Sequence, residues 1–216
     1  MVRRGSALAD IGTDHAYLPA YLVKAGICPK AIAADLRKSP LENAAETVRI
    51  YGVQDCVTLR LSDGLDSVLP HEADDIVLAG MGGTLIAEIL SRADWIKDSS
   101  KRIIAQPMTH SEDVRKFFGE NGFKIIEENA YSDDGRDYIC MCAEYTGLDE
   151  KRSGLYYLLG IHPIAGNGCS LNFAKKQINR IKTRAGALEK ADIKNEEYAF
   201  LKEIINEFTE APKWQE

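Results

Sequence analysis

Phe123-Lys124-Ile125-Ile126-Glu127-Glu128-Asn129 and Tyr138-Ile139-Cys140-Met141-Cys142-Ala143-Glu144-Tyr145 are two strand-like runs, and only Ser132-Asp133-Asp134-Gly135-Arg136 and their neighbours lie between them. A parallel connection needs a dozen or more residues, usually a helix, so these two strands are expected to pair antiparallel as a hairpin. Upstream the pattern is different. Strands are expected at 7–11, 30–35, 57–61, 75–79 and 102–105, and helices at 19–25, 39–51, 84–92 and 111–120. Ser39-Pro40-Leu41-Glu42 reads as a capping box with proline in the first turn, and Gly52 as the stop of that helix. Strand–helix alternation implies right-handed crossovers and a mostly parallel sheet. The expected fold is therefore α/β: a Rossmann-like sheet of seven strands closed by an antiparallel terminal hairpin, unlike the all-parallel sheet of an ordinary dinucleotide-binding domain.

After a boundary expected at 146–154 the periodicity changes. The apolar run 156–164 is expected to open a second unit and pack on the first, and Gly166-Asn167-Gly168 reads as a turn. Leu171, Ala174, Ile178, Ile181, Ala185 and Leu188 then recur at alternating spacings of three and four, the seam of a coiled coil. Tyr198, Leu201, Ile205 and Phe208 repeat it, so an antiparallel α-helical coiled-coil hairpin joined near 192–194 is expected. The domains are thus read as 1–150 and 151–216.

The net charge of −6 argues against a general nucleic-acid coat, but the charge is unevenly spread. Residues 151–190 carry +7, whereas residues 1–150 carry −9 and 191–216 carry −4. One basic segment on an acidic chain is a candidate phosphate-binding surface. Lys176, Arg180 and Arg184, four apart, line one face of its helix, flanked by Lys175 and Lys182. The alternative is a solvated coiled-coil face paired with Glu196, Glu197 and Glu203. No apolar run is long enough to span a membrane, and Asp10 interrupts any signal-like start. The five cysteines include no Cys-x-x-Cys, and Cys140 and Cys142 are expected to share one core face, consistent with a reducing cytoplasm. His15, His71, His110 and His162 show no metal-ligand spacing, so no obligatory metal is expected; oligomeric state is left open, with a monomer favoured.

Ligands of open α/β sheets bind beyond the carboxyl ends of the strands. Four such ends are polar or glycine-rich: Asp10-Ile11-Gly12-Thr13-Asp14-His15, Asp35, Ser62-Asp63-Gly64, and Ala79-Gly80-Met81-Gly82-Gly83. Any one of them is equally a strand-end turn; four in successive units make a cofactor site. Gly12 permits close backbone approach to a ligand, Asp35 has the offset of a carboxylate that accepts from both ribose hydroxyls, and Asp63 suits an adenine amino group. The expected cofactor-binding set is Asp10, Gly12, Asp35, Leu36, Ser62, Asp63, Gly64, Gly80 and Met81. The first loop is not Gly-x-Gly-x-x-Gly, and Asp14 would repel a pyrophosphate. An acidic loop suits the sulfonium of S-adenosyl-L-methionine, which has no phosphate.

The run Ala9-Asp10-Ile11-Gly12-Thr13-Asp14-His15-Ala16-Tyr17-Leu18-Pro19 resembles the signature of the bacterial TrmK family, the tRNA (adenine-22-N1)-methyltransferases. Ala79-Gly80-Met81-Gly82-Gly83, Gln106-Pro107, and Asp134-Gly135 with Tyr138 extend the resemblance over almost the whole chain. It implies a class I methyltransferase fold, S-adenosyl-L-methionine as donor with S-adenosyl-L-homocysteine as product, and 1-methyladenosine in the tRNA D arm. It also implies an essential Asp14 and a basic helical hairpin that grips tRNA. Members of that family usually carry a helical segment ahead of the first strand, whereas about six residues precede it here. The expected chemistry is direct attack of adenine N1 on the donor methyl, with the base extruded and Asp14 stabilising the charge that develops. Asp14 read structurally is a helix N-cap or a cofactor contact. His15 and Tyr17 are assigned to tRNA, with a local structural hydrogen bond as the alternative for His15. Rival readings are a methyltransferase acting on another RNA, a protein or a small molecule, a nicotinamide-dependent oxidoreductase, and a non-catalytic interaction protein.

Overall fold

The computed structural model describes residues 1–160 and 168–210. They fall into two compact units: Met1–Glu127 with Cys140–Glu150, and Glu128–Ile139 with Lys151–Glu216.

The first unit carries a seven-stranded sheet ordered β3-β2-β1-β4-β5-β7-β6. The strands are β1 (Leu8–Ile11), β2 (Ala31–Asp35), β3 (Val57–Leu61), β4 (Asp75–Gly82), β5 (Arg102–Thr109), β6 (Phe123–Asp133) and β7 (Arg136–Tyr145). Strands β1 to β5 pair in parallel, and β7 joins β5 antiparallel, with Arg102 opposite Glu144. Every residue of β1 and β2 is buried, as a parallel strand covered on both faces requires. Strand β1 lies between β2 and β4, so the chain reverses its direction of winding there and opens a crevice at the carboxyl ends. The β6–β7 turn is Asp134-Gly135, both at positive φ (45° and 72°), a type I′ geometry that matches the twist of a tight hairpin. The tip is therefore shorter, and the strands longer, than the sequence suggests.

Two helix starts differ from expectation. Helix α1 (Tyr17–Lys24) begins two residues before Pro19, after Ala16 in a left-handed conformation. Helix α2 (Lys38–Tyr51) begins ahead of the Ser39 capping box, which does not form. Its cap residue, Arg37, instead donates its backbone N–H to Asp35 Oδ1 at 2.9 Å. Pro40 still falls within the first turn, where its missing N–H costs no hydrogen bond. Helices α3 (Gly83–Ser91) and α4 (Ser111–Glu120) complete the unit. Cys142 is buried in its core and the half-buried Cys140 packs against the same cluster; all five cysteines are free thiols.

At the amino edge of the sheet, charges are paired. Arg3 donates from its backbone N–H and its guanidinium to Asp75, whose side chain is fully buried. Lys101 donates to the carbonyls of Pro70 and Ala73, and Arg102 donates twice to Glu144.

The second unit holds the hairpin tip with α5 (Gly154–Leu159), α6 (Gly168–Lys190) and α7 (Glu196–Glu210). Ala174, Ile178, Ile181, Ala185 and Leu188 of α6 bury against Leu201 and Ile204 of α7, with Leu171, Tyr198, Ile205 and Phe208 partly buried around them. Leu155, Leu158 and Leu159 of α5 fill the same core. The apolar run expected over 156–164 is helical to Leu159; its remainder, His162, and most of the turn expected at 166–168 lie outside the described residues. Among the described residues no helix is long and apolar enough to cross a membrane.

Candidate active site

Backbone contacts gather the four strand ends. The N–H groups of Gly12 and Thr13 both donate to the Ala34 carbonyl at 2.9 Å, joining the first loop to β2. Ser62 N–H donates to the Asp35 carbonyl at 2.9 Å, joining the second strand end to the third. The terminal methyl of Met81 lies over the bare face of Gly12, 2.6 Å from where a Cβ would stand, joining the first to the fourth. All nine residues expected to bind cofactor therefore lie on one rim of the first unit. Lys176, Arg180 and Arg184 lie in the other unit, on α6.

The rim is chemically uneven. Asp10 is buried, and its carboxylate receives the Thr13 hydroxyl at 2.5 Å. Burial pushes the Asp10 carboxyl up to about 6, with the Thr13 hydrogen bond holding it partly back. Asp35 is buried too and accepts from the Arg37 N–H, while its neighbour Leu36 is exposed. Asp63 is half exposed and accepts from Arg92 at 2.9 Å. Ser62 bridges its own loop, donating to the Gly64 carbonyl and accepting from the Ser67 N–H. Gly80 has positive φ, open space where a side chain would stand, and an N–H that donates to Gln106 Oε1.

Asp14 stands apart. Its φ is +50° and the φ of Ala16 is +54°, two non-glycine residues in the left-handed region within three positions. Such conformations cost of order 1 kcal/mol or more each and cluster at functional sites. Asp14 does not cap α1: the N-cap is Ala16, with no side-chain bond. Its carboxylate is largely exposed, 3.6 Å from His15 Nε2. The His15 ring stacks on Tyr17, 5.3 Å between centroids and 20° between planes, and Tyr17 is 61% exposed. Tyr21, one turn further along α1, is exposed as well and was not singled out from the sequence. The sequence reading also missed Thr13 as the partner of Asp10, because that pairing depends on the turn at Gly12.

On α6 the bases are largely engaged. Lys176 Nζ lies 2.6 Å from Asp137, whose carboxylate is buried. Arg184 makes two hydrogen bonds to Glu197, at 2.7 and 3.0 Å, as the coiled-coil alternative requires. Lys182 lies over the Phe208 ring. No group of three or more candidate metal ligands occurs among the described residues.

A crevice at the β1–β4 switch point, an acidic first loop and an antiparallel strand inserted beside β5 define a methyltransferase, and residues 1–141 match the family described as Methyltransferase domain. The chain is 34% identical over 160 residues to the tRNA (adenine(22)-N(1))-methyltransferase of Bacillus subtilis (strain 168), covering 74% of this chain and 67% of that one. The crystal structure of the B. subtilis m1A22 tRNA methyltransferase TrmK superposes with a TM-score of 0.84 at 28% identity, over 96% of this chain and 91% of that one. The Streptococcus pneumoniae protein Sp1610 in complex with S-adenosyl-L-methionine matches with a TM-score of 0.79 at 28% identity, over 95% of this chain and 94% of that one. This chain belongs to the TrmK family.

Proposed function

We propose that the protein methylates N1 of adenine 22 in the D arm of bacterial tRNA, using S-adenosyl-L-methionine and releasing S-adenosyl-L-homocysteine. The observation that carries this reading is Asp14: an exposed carboxylate in a strained backbone conformation, beside a stacked aromatic pair, on the rim of a TrmK-family fold. The residues present fit the cofactor. A buried Asp10 whose one described side-chain donor is Thr13 suits an ammonium group, Asp35 suits ribose hydroxyls and Asp63 an adenine amino group. Leu36, Ser62, Gly64, Gly80, Met81 and Gly12 line the same rim. When bound, the cofactor supplies a methyl group already activated on a sulfonium, so the protein's task is alignment and charge stabilisation.

Methylation at N1 leaves the adenine ring positively charged. Asp14 is the catalytic residue: its carboxylate faces that charge as it develops and accepts from the N6 amino group. N1 lies on the pairing edge, so the base must leave its stack. The exposed Tyr17, backed by His15, offers a face on which an unstacked base can rest. Lys176, Arg180 and Arg184 grip tRNA phosphates, with Glu197 competing for Arg184. The unit of Met1–Glu127 with Cys140–Glu150 binds the cofactor, and the unit of the C-terminal helices, which takes in Glu128–Ile139, grips tRNA, in a cytoplasmic monomer.

The test is calorimetric titration with S-adenosyl-L-methionine, followed by methyl transfer to unmodified bacterial tRNA. Saturable binding with 1-methyladenosine at position 22 is the expected result. Binding with methylation elsewhere would reject the target, and no binding would reject the cofactor. Charge reversal of Lys176, Arg180 and Arg184 is expected to weaken tRNA binding and flatten its salt dependence; unchanged binding would remove α6 from the interface.

A further inference from the structure

The loop after β3 is held from outside itself. A Cβ at Gly64 would stand 2.6 Å from Ile89 Cγ2 and 2.9 Å from its Cγ1, so the loop backbone rests directly on a buried side chain of α3. With φ at +55°, no other residue fits that approach without strain. One turn beyond Ile89, at the C-cap of α3, Arg92 reaches the same loop. Its Nη2 donates to Asp63 Oδ1 at 2.9 Å, and its Nε lies 3.7 Å from Asp66 Oδ1. A cation at a helix C-terminus is itself favourably placed. Asp63 Oδ2 takes no hydrogen bond from any described residue. The guanidinium thus engages one carboxylate oxygen and leaves the other without a hydrogen bond among the described residues. The Asp63 hydrogen bond also holds the Arg92 guanidinium more firmly protonated than usual.

We propose that Arg92 is a positioning residue for adenine recognition: by clamping Asp63 Oδ1 against the loop that Gly64 seats on Ile89, it orients Oδ2 to accept from the exocyclic amino group of the cofactor's adenine. The proposal rests on the reading of Asp63 as the adenine-facing carboxylate. Arg92 touches neither the base nor the reacting methyl group. Its effect is on selectivity between an adenine, which offers an amino donor at position 6, and a hypoxanthine, which offers an oxygen acceptor there. A carboxylate free to rotate accommodates the wrong base by turning away, whereas a clamped one meets it with an unpaired oxygen.

The experiment measures binding, not turnover. Calorimetry compares S-adenosylhomocysteine with S-inosylhomocysteine for the wild type, Arg92→Ala, Arg92→Lys, Asp63→Ala and the Arg92→Ala/Asp63→Ala double variant. Thermal unfolding of each apo-protein serves as the control for folding. The wild type is expected to prefer the adenine ligand. Arg92→Ala is expected to reduce that preference about tenfold, equivalent to about 1.4 kcal/mol, with Arg92→Lys recovering part of it. In the Asp63→Ala background, removing Arg92 is expected to change nothing further, because the two act as one unit. If Asp63→Ala abolishes the preference while Arg92→Ala keeps it, the clamp is rejected and the role of Asp63 stands. If Asp63→Ala itself keeps the preference, Asp63 does not read the base and the clamp falls with it. Equal losses of both ligands in Arg92→Ala, with a lowered unfolding temperature, would make Arg92 merely structural and also overturn the proposal.

Discussion

The two edges of one sheet use the same side chains to opposite ends. At the amino edge, Asp75 is fully buried and held by three donors from Arg3, Lys101 is capped by two carbonyls, and Arg102 is paired with Glu144. At the carboxyl edge, Asp10 is also buried but has a hydroxyl in place of a cation, and Asp14 is exposed on a backbone it would not choose. The paired edge is where charge stabilises the fold. At the other edge Asp10 and Asp14 have no arginine or lysine partner among the described residues, which under the proposed function leaves them open to a ligand. A fold-stabilising site completes its own hydrogen bonds, whereas a binding site leaves some of them open for its ligand.

Mutations can break this contrast. The largest effect is expected from Arg3→Ala, which leaves Asp75 buried without its cation and should cost about 3–5 kcal/mol in urea unfolding. A loss below about 1 kcal/mol would mean that the amino edge is not a stabilising network. Asp14→Gly should do the reverse. Glycine relieves the φ of +50°, so unfolding free energy should hold or rise by up to about 1 kcal/mol, while kcat for tRNA falls about a hundredfold. Equal losses of stability and activity would erase the distinction.

Asp10→Asn sharpens it further. The folded carboxyl titrates near 6, above the ordinary 3.8, so its contribution to stability is present below about pH 4 and lost as pH rises through about 6. The amide should therefore gain about 2 kcal/mol over the wild type in the cofactor-free state at pH 7.5, with little difference at pH 4, and should lose affinity for S-adenosyl-L-methionine. Thermal scans across that range read the first effect and calorimetry the second; parallel pH profiles for the two proteins would refute the account. The smallest change is expected at the partly exposed Arg102–Glu144 pair, where Glu144→Gln should cost about 1 kcal/mol or less and leave cofactor affinity alone.

Much of the fold was legible because its signals are local and periodic. The antiparallel β6–β7 hairpin, the seam from Leu171 to Leu188, and the strand–helix alternation each reside in a few neighbouring residues. What escaped depends on pairing at a distance. Strands β4 and β5 continue to Gly82 and Thr109 because they pair with each other across a bulge, although Gly80-Met81-Gly82-Gly83 has the composition of a loop. The Ser39 capping box lost to Asp35, which captures the Arg37 N–H and starts α2 early. At the candidate site the carboxylates themselves stood out, since strand ends are where ligands gather. Their supports did not: Arg92 lies 29 residues from Asp63, and no spacing rule links them. The engagement of Arg184 by Glu197 was foreseen only as the structural alternative, because charge alone does not say which partner an arginine holds.

The hairpin tip has a consequence for heredity. Residues 128–139 belong to the unit of the C-terminal helices although the chain on both sides of them belongs to the other, so the polypeptide crosses the boundary three times. A single recombination breakpoint near residue 150 would carry Lys176 away and leave the buried carboxylate of Asp137 behind. Chimeras between relatives should therefore be more stable to thermal unfolding when the tip travels with the helices, as two separate segments of the gene that are inherited as one part.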